Sequence, residues 1–194
     1  CWGFSTVISA CGEGFSAAFD INLIRGGLRT DTTTALDDRS RADIREHWQH
    51  VETLTGQPFD YGFFAREDFV YNTGAACRAV IAARDMDSRA GFSMLAALQQ
   101  AFYAENRDIT DPDVLAVVAS EIGLDRDAFK SKYDDHAIHL ATGNDFMITQ
   151  NAGIQGFPAL VVGSETAGLT AITIGYQAPD AISDALRQWL AERE

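Results

Sequence analysis

The sequence predicts an α/β fold whose two sheet-forming halves are separated by a large all-helical insertion. Three observations carry this expectation. The opening residues pass from a helical pattern to a strand-like alternation, residues 38–151 show helical periodicity almost throughout, and the remainder returns to short apolar runs and a closing helix. The expected division is therefore residues 1–37 with 152–194 as one α/β domain, and 38–151 as the insertion.

Cys1 to Cys11 reads as a helix with Phe4, Val7, Ile8 and Cys11 on one face, ended by Gly12 and Gly14. Phe19 to Ile24 alternates apolar with polar residues, as a half-buried strand does, and Gly26-Gly27 closes it. Arg41 to Thr55 places Ile44, Trp48, Val51 and Leu54 at helical spacing and is stopped by Gly56-Gln57-Pro58. Phe59 to Tyr71 is aromatic-rich and irregular, a segment that either covers a core or lines a groove.

Asn72 or Thr73 can cap a helix carrying Cys77, Val80 and Ile81, and Asp87-Ser88 can cap one carrying Phe92, Leu95, Leu98 and Phe102. Thr110-Asp111-Pro112 is a cap with proline at the first helical position, before Leu115, Val118, Ala119 and Ile122. Asp125 caps a short helix with Phe129 and Tyr133, and a further helix runs from Asp135 to Asn151. Ala159–Val162 and Ala171–Ile174, with a turn region from Gly163 to Gly168, read as a β-hairpin. Ala178-Pro179-Asp180 opens a last helix with Ile182, Leu186, Trp189 and Leu190 inward.

Composition narrows the function classes. A net charge of −13, from 15 basic and 28 acidic residues, disfavours nucleic-acid and anionic-membrane partners. No run approaches the roughly 18 apolar residues that span a bilayer. The three cysteines, Cys1, Cys11 and Cys77, are too few and too widely spaced for a secreted disulfide framework. They fit a cytoplasmic protein with reduced thiols, or a redox protein whose disulfide is catalytic. The chain opens on Cys1 without an initiator Met, so the natural protein is expected to begin upstream, where a leader is not excluded.

The stretch Gly153-Ile154-Gln155-Gly156-Phe157-Pro158-Ala159 stands out because Pro158 opens an apolar, strand-like run. A missing N–H is costly there unless that edge faces something other than a neighbouring strand. Such a proline is either trans at a sheet edge or cis, presenting its backbone to a ligand or thiol.

These pieces resemble a known family. Cys1-Trp2-Gly3-Phe4 at a helix start is similar to the second half of the C-x-x-C-[YW]-G-F motif of DsbA-like thioredoxin-fold oxidoreductases, and Gly153 to Ala159 is similar to their cis-proline segment. Gly26-Gly27-Leu28-Arg29, Arg45-Glu46-His47-Trp48, Thr55-Gly56-Gln57-Pro58-Phe59 and Ala76-Cys77-Arg78-Ala79-Val80 resemble more narrowly the FrnE-type, protein-disulfide-isomerase-like branch. The resemblance implies a thioredoxin-like fold interrupted by a helical insertion, and thiol–disulfide exchange as the activity. It implies Cys1 and Pro158 as catalytic residues, and Trp2, Gly156 and Phe157 as substrate contacts. Cys1 maps to the resolving cysteine; the family's nucleophile lies three positions earlier, outside this sequence. No cofactor or metal is implied. The implied partners are protein or small-molecule thiols and disulfides, glutathione among them.

Elementary chemistry agrees. Exchange needs a thiolate, which a helix N-terminus favours, and a proline edge offers a strand-like surface for substrate backbone. Cys11 is not a partner for Cys1 on one helix: ten residues at about 1.5 Å separate them by roughly 15 Å, against the roughly 4.4–6.8 Å of a disulfide. Cys11 and Cys77 are expected to be core thiols. His47 with His50, and His136 with His139, read as solvated helix faces rather than metal ligands. Two alternatives share the scaffold: a glutathione-binding enzyme like kappa-class transferases or 2-hydroxychromene-2-carboxylate isomerases, and a redox-inactive binding or chaperone module using the aromatic Phe59–Tyr71 segment and the proline groove.

Overall fold

A 3-10 turn, Trp2–Phe4, runs directly into helix α1 (Ser5–Phe15) in a computed structural model that describes residues 1–15, 17–164 and 168–192. Helix α1 passes through Gly12 and Gly14, where the sequence suggested an end. Glycine costs a helix roughly 0.5–1 kcal/mol. Burial of Val7, Cys11 and Phe15 on one stripe outweighs that, and Phe15 lies within aromatic contact of Phe19.

Residues 19–25 form neither a helix nor a strand. Their burial still alternates, with Phe19, Ile21 and Leu23 half-buried and Asp20, Asn22 and Ile24 exposed. Alternation reports which face is covered, whereas a strand also needs a neighbour for its N–H and C=O groups. Among the described residues the sheet has only two strands, and neither pairs with this segment.

The helical block comprises α2 (Asp38–Thr55), α3 (Gly74–Met86), α4 (Ala90–Gln99), α5 (Pro112–Glu121), α6 (Arg126–Tyr133) and α7 (His136–Asn151). Its starts follow side-chain chemistry: Asp37, Asp111, Asp125 and Asp135 each accept a backbone N–H from the first turn they cap. Asn72 does this for α3 through Gly74 N–H, at 2.7 Å. Helix α2 ends on Gly56, whose φ of 68° only glycine adopts freely. Leu54, expected on the buried face of α2, is 53% exposed; that helix is anchored instead through Ile44 and Trp48.

The aromatic segment builds a core. Trp48 sits at its centre, with ring centroids of Phe59, Phe63 and Phe64 at 5.0, 5.0 and 4.9 Å. Phe69, Tyr71, Phe102 and Tyr103 complete the cluster. A π-helical turn, Gln100–Ala104, follows α4, closed by Glu105 N–H to Gln100 C=O. It separates what reads in sequence as one stripe: Leu98 joins the core of α3–α7, while Phe102 joins the aromatic cluster.

The closing elements are β1 (Ala159–Ser164), β2 (Gly168–Ile174) and α8 (Pro179–Ala191). The strands pair antiparallel from Ala159 opposite Ile174 to Ser164 opposite Gly168, with an irregularity between Leu160 and Val161. Both strands are longer than their apolar runs, and residues 165–167 of the expected turn lie outside the described residues. Val162, Ile182, Leu186 and Trp189 close a third core with Phe4, Val7, Cys11 and Phe15 of the opening helix. Chain beginning and chain end are thus packed together, with the helical block between them in sequence.

Candidate functional site

Each residue of Cys1-Trp2-Gly3-Phe4 has a separate reason for its place. Phe4 is buried in the core shared with α8. Gly3 lies against α2 so closely that a β-carbon there would stand 2.8 Å from Thr55 Cγ2, so a side chain would push the turn off the helix. Trp2 donates its indole N–H to Pro58 C=O at 3.0 Å and stacks on Tyr103, with centroids 6.1 Å apart and planes 10° apart. Ser5 donates to Trp2 C=O at 2.9 Å and accepts from the Gln57 amide at 2.8 Å. The turn is held from behind, and Cys1 remains exposed at its start as a free thiol.

The opposite wall starts where α7 ends. Gly153, at φ 70°, lets Ile154 N–H reach back to Thr149 C=O at 3.1 Å, which turns the chain toward Phe157. The Phe157–Pro158 peptide bond is cis. Pro158 C=O accepts from Gly175 N–H at 2.7 Å, tying the proline to the end of β2. The ring of Phe157 rests on Gly26, where an added β-carbon would lie 1.9 Å from Phe157 Cζ.

The segment beneath that ring is held by a buried acid. Asp145, on α7 and 4% exposed, accepts from Arg25 backbone N–H at 2.9 Å and from both terminal nitrogens of Arg84, at 3.3 and 3.1 Å. Arg84 also donates to Leu23 C=O at 2.6 Å. Thr73 fixes the next turn, accepting from Arg29 N–H through its hydroxyl and donating its own N–H to Arg29 C=O.

These walls enclose an open cavity of about 350 Å³. It brings together Cys1, Phe157 and Pro158, which lie at opposite ends of the sequence. Trp2 and Gly156, expected as substrate contacts, are not on its wall: Trp2 is spent on Pro58 and Tyr103, and a β-carbon on Gly156 would meet Ile174.

The wall also contains residues to which sequence reading assigned no role there. Leu23, Phe92, Leu95 and Ala96 make much of it apolar, Arg25 and Arg29 supply positive charge, and among the described residues no carboxylate lines it. Tyr71 and Tyr103 share a hydrogen bond; burial pushes both hydroxyls above the ordinary tyrosine range, Tyr103 further than Tyr71. Cys77 is 3% exposed yet lines this space, whereas Cys11 lies in the other core, where burial raises its thiol pKa. The quoted Gly26 to Arg29 segment was the available signal for this wall; Gln99 and Tyr103, on another helix, had none.

Among the described residues no group of three or more His, Cys, Asp and Glu side chains gathers as metal ligands do. His139 instead faces the Arg78 guanidinium at 3.0–3.1 Å. Among the described residues no helix is long and apolar enough to cross a membrane.

Known proteins share this fold. The crystal structure of a "putative protein disulfide isomerase" from Nitrosomonas europaea superposes with a TM-score of 0.94 at 34% identity, covering 100% of this chain and 93% of that one. The cytosolic disulfide reductase DsbM from Pseudomonas aeruginosa superposes with a TM-score of 0.80 at 26% identity, over 99% of this chain and 93% of that one. Its structure with GSH matches at 0.76 and 25% identity, over 98% and 93%. The ClpXP adapter protein SpxH of Bacillus subtilis is 22% identical over 162 residues, which is 82% of this chain and 53% of that protein. The chain thus spans about half the length of the curated relatives it matches. A family model described as DSBA-like thioredoxin domain matches residues 44–187, most of the chain and across the helical block. Two sequence segments packed around one cavity, and a matching model over most of their separation, make this chain a member of the DSBA-like thioredoxin domain family.

Proposed function

We propose that the protein catalyses thiol–disulfide exchange, with Cys1 as the resolving thiol and the Phe157–Pro158 edge as the seat of the substrate. One observation carries the reading: an exposed cysteine, held by its neighbours at a helix entrance, shares a cavity with a proline 157 positions later in the chain. The similarity to a disulfide reductase and to a protein-disulfide-isomerase-like structure supports the same activity.

In this reading a thiolate three positions before Cys1 attacks one sulfur of a substrate disulfide. That S–S bond breaks, a mixed disulfide forms, and one substrate thiolate leaves. The Cys1 thiolate then attacks the enzyme sulfur of the mixed disulfide, releasing the second substrate thiolate and closing an enzyme disulfide. Two electrons pass from the enzyme dithiol to the substrate, whose two thiolates take up protons. A reducing dithiol returns the enzyme; run in reverse, the same steps oxidise a substrate.

Candidate substrates are protein and small-molecule disulfides. The DsbM structure with GSH supports placing glutathione among the small ones. A cytoplasmic location suits reductive turnover and is supported by the cytosolic description of DsbM.

The test uses the full-length encoded protein with oxidised glutathione and with insulin as separate substrates. Cys1→Ser is expected to stop turnover while a mixed disulfide accumulates, visible as an added mass. Unchanged turnover in Cys1→Ser overturns the assignment.

A further inference from the structure

Helix α7 is built inside out for a helix at a protein surface. Its inward stripe is Ile138, Thr142, Asp145 and Thr149, all buried and three of them polar. Those polar groups are satisfied within the chain: Asp145 by Arg25 N–H and Arg84, and the Thr142 and Thr149 hydroxyls by the carbonyls of Ile138 and Asp145 one turn back. The outward stripe carries Leu140, Met147 and Ile148 instead, which are 58, 54 and 51% exposed. A surface helix ordinarily turns its apolar stripe to the core and its polar face to water.

Two further features belong to the same outer face. None of the exposed residues of α7 is Asp, Glu, Lys or Arg, although the chain carries 28 acidic and 15 basic residues. Gly143 sits between Leu140 and Met147 at helical spacing, and a β-carbon added there would meet nothing within 4 Å. Glycine destabilises a helix interior relative to alanine. Gly143 has no positive φ and no packing inside the chain requires it. What it does permit is the close approach of a second helix.

Clustered exposed apolar side chains mark contact surfaces, and charge decides between occupants. At a net charge of −13, two copies of this chain repel one another across their acidic faces. A face without formal charge is one that they can share, and depletion of charge with enrichment of Met is the composition of an interface centre. The helix is also complementary to itself. Antiparallel pairing about a two-fold axis through Asn144 sets Leu140 against Ile148 of the partner subunit, four residues to either side. The Asn144 amide, both donor and acceptor, then meets its own counterpart at the axis.

We infer that the outer face of α7 is the contact surface for a second copy of this chain, with the two helices antiparallel about Asn144. One pair of 16-residue helices is a small interface, so a dissociation constant in the micromolar range is expected. The face lies on the side of α7 opposite Asp145, and the inference is independent of exchange at Cys1.

The test is sedimentation velocity on the full-length protein across micromolar concentrations. The unmodified protein is expected to be dimeric at the upper end of that range. Leu140→Lys and Ile148→Glu should each weaken dimerisation about tenfold or more, with folding checked by circular dichroism. Mixed together, the two variants should recover a dimer, because only the mixed pair sets opposite charges together at one contact and leaves Leu140 against Ile148 at the other. Gly143→Ala should raise the thermal midpoint of the monomeric Leu140→Lys variant, yet weaken dimerisation of the otherwise unmodified protein. A protein monomeric throughout the range overturns the inference, whether another protein or another part of the encoded chain covers the face. A dimer that both charge variants leave intact overturns it as well. Failure of the mixed variants to pair, or a dimer unweakened by Gly143→Ala, overturns the antiparallel arrangement.

Discussion

The Phe157 ring occupies the space that a side chain on Gly26 would take: a β-carbon there would lie 1.9 Å from Cζ and 2.0 Å from Cε1. The proline edge is therefore seated on a bare backbone. Gly26 is not at a positive φ, so space rather than conformation demands glycine.

Gly26→Ala should displace Phe157, cost about 1–3 kcal/mol of stability as overpacking does, and lower exchange activity. In a Phe157→Ala background the same substitution should be nearly neutral, because the clash is gone. A double-mutant cycle by denaturant unfolding measures the coupling. Additive effects would show that the two residues do not meet.

Asp145 holds the wall beneath that edge. Asp145→Ala strands the Arg25 N–H and the Arg84 guanidinium, and breaking a buried pair costs about 3–5 kcal/mol. The lower end is expected because the Arg84 side chain is 30% exposed. Asp145→Asn keeps an acceptor for Arg25 N–H and should lose less. Urea unfolding of both variants checks the order.

Alkaline pH should weaken the fold through Tyr103 and Tyr71. Burial raises both above the value of about 10 they have when unfolded. Between the unfolded and folded values the native state binds more protons, so stability falls as pH rises. Their contribution is complete below about pH 10 and is lost as pH climbs through the raised folded values. Unfolding measured from neutral to strongly alkaline pH should show this decline. Tyr103→Phe should reduce the slope more than Tyr71→Phe; identical slopes in both variants and the unmodified protein would contradict it.

Native-state alkylation should rank the thiols. Cys1 is exposed and should react first, and Cys77, buried but on the cavity wall, should follow slowly. Cys11 should react last, because burial both covers its thiol and keeps it protonated. Mass spectrometry of iodoacetamide-treated protein gives the order directly, and early labelling of Cys11 would contradict the packing of α1.

Several elements were legible because their signals are local. Asp37, Asp111, Asp125 and Asp135 cap the helices they precede, and Gly56 ends one, since these contacts lie within a turn of the chain. The spacing of Ile182, Leu186 and Trp189 likewise predicts the buried face of α8. Misreadings arose where distant packing overrode a local rule. Gly12 and Gly14 did not end α1, because Phe15 is buried beyond them. Residues 19–24 kept a strand's alternation but have no paired neighbour among the described residues.

By itself the sequence determined the order of the main helices, the closing hairpin and the two segments that carry the family resemblance, but not the fate of residues 19–24. Helix caps, periodicity and short motifs depend on residues close in the chain. Only the tertiary structure decided that Trp2 turns away from the cavity toward Pro58 and Tyr103, that Phe157 lies on Gly26, and that Arg25 and Gln99 share a wall with Cys1. Those contacts join residues far apart in sequence. They are selected by which surfaces fit when the chain closes on itself, and neither spacing nor composition records that choice.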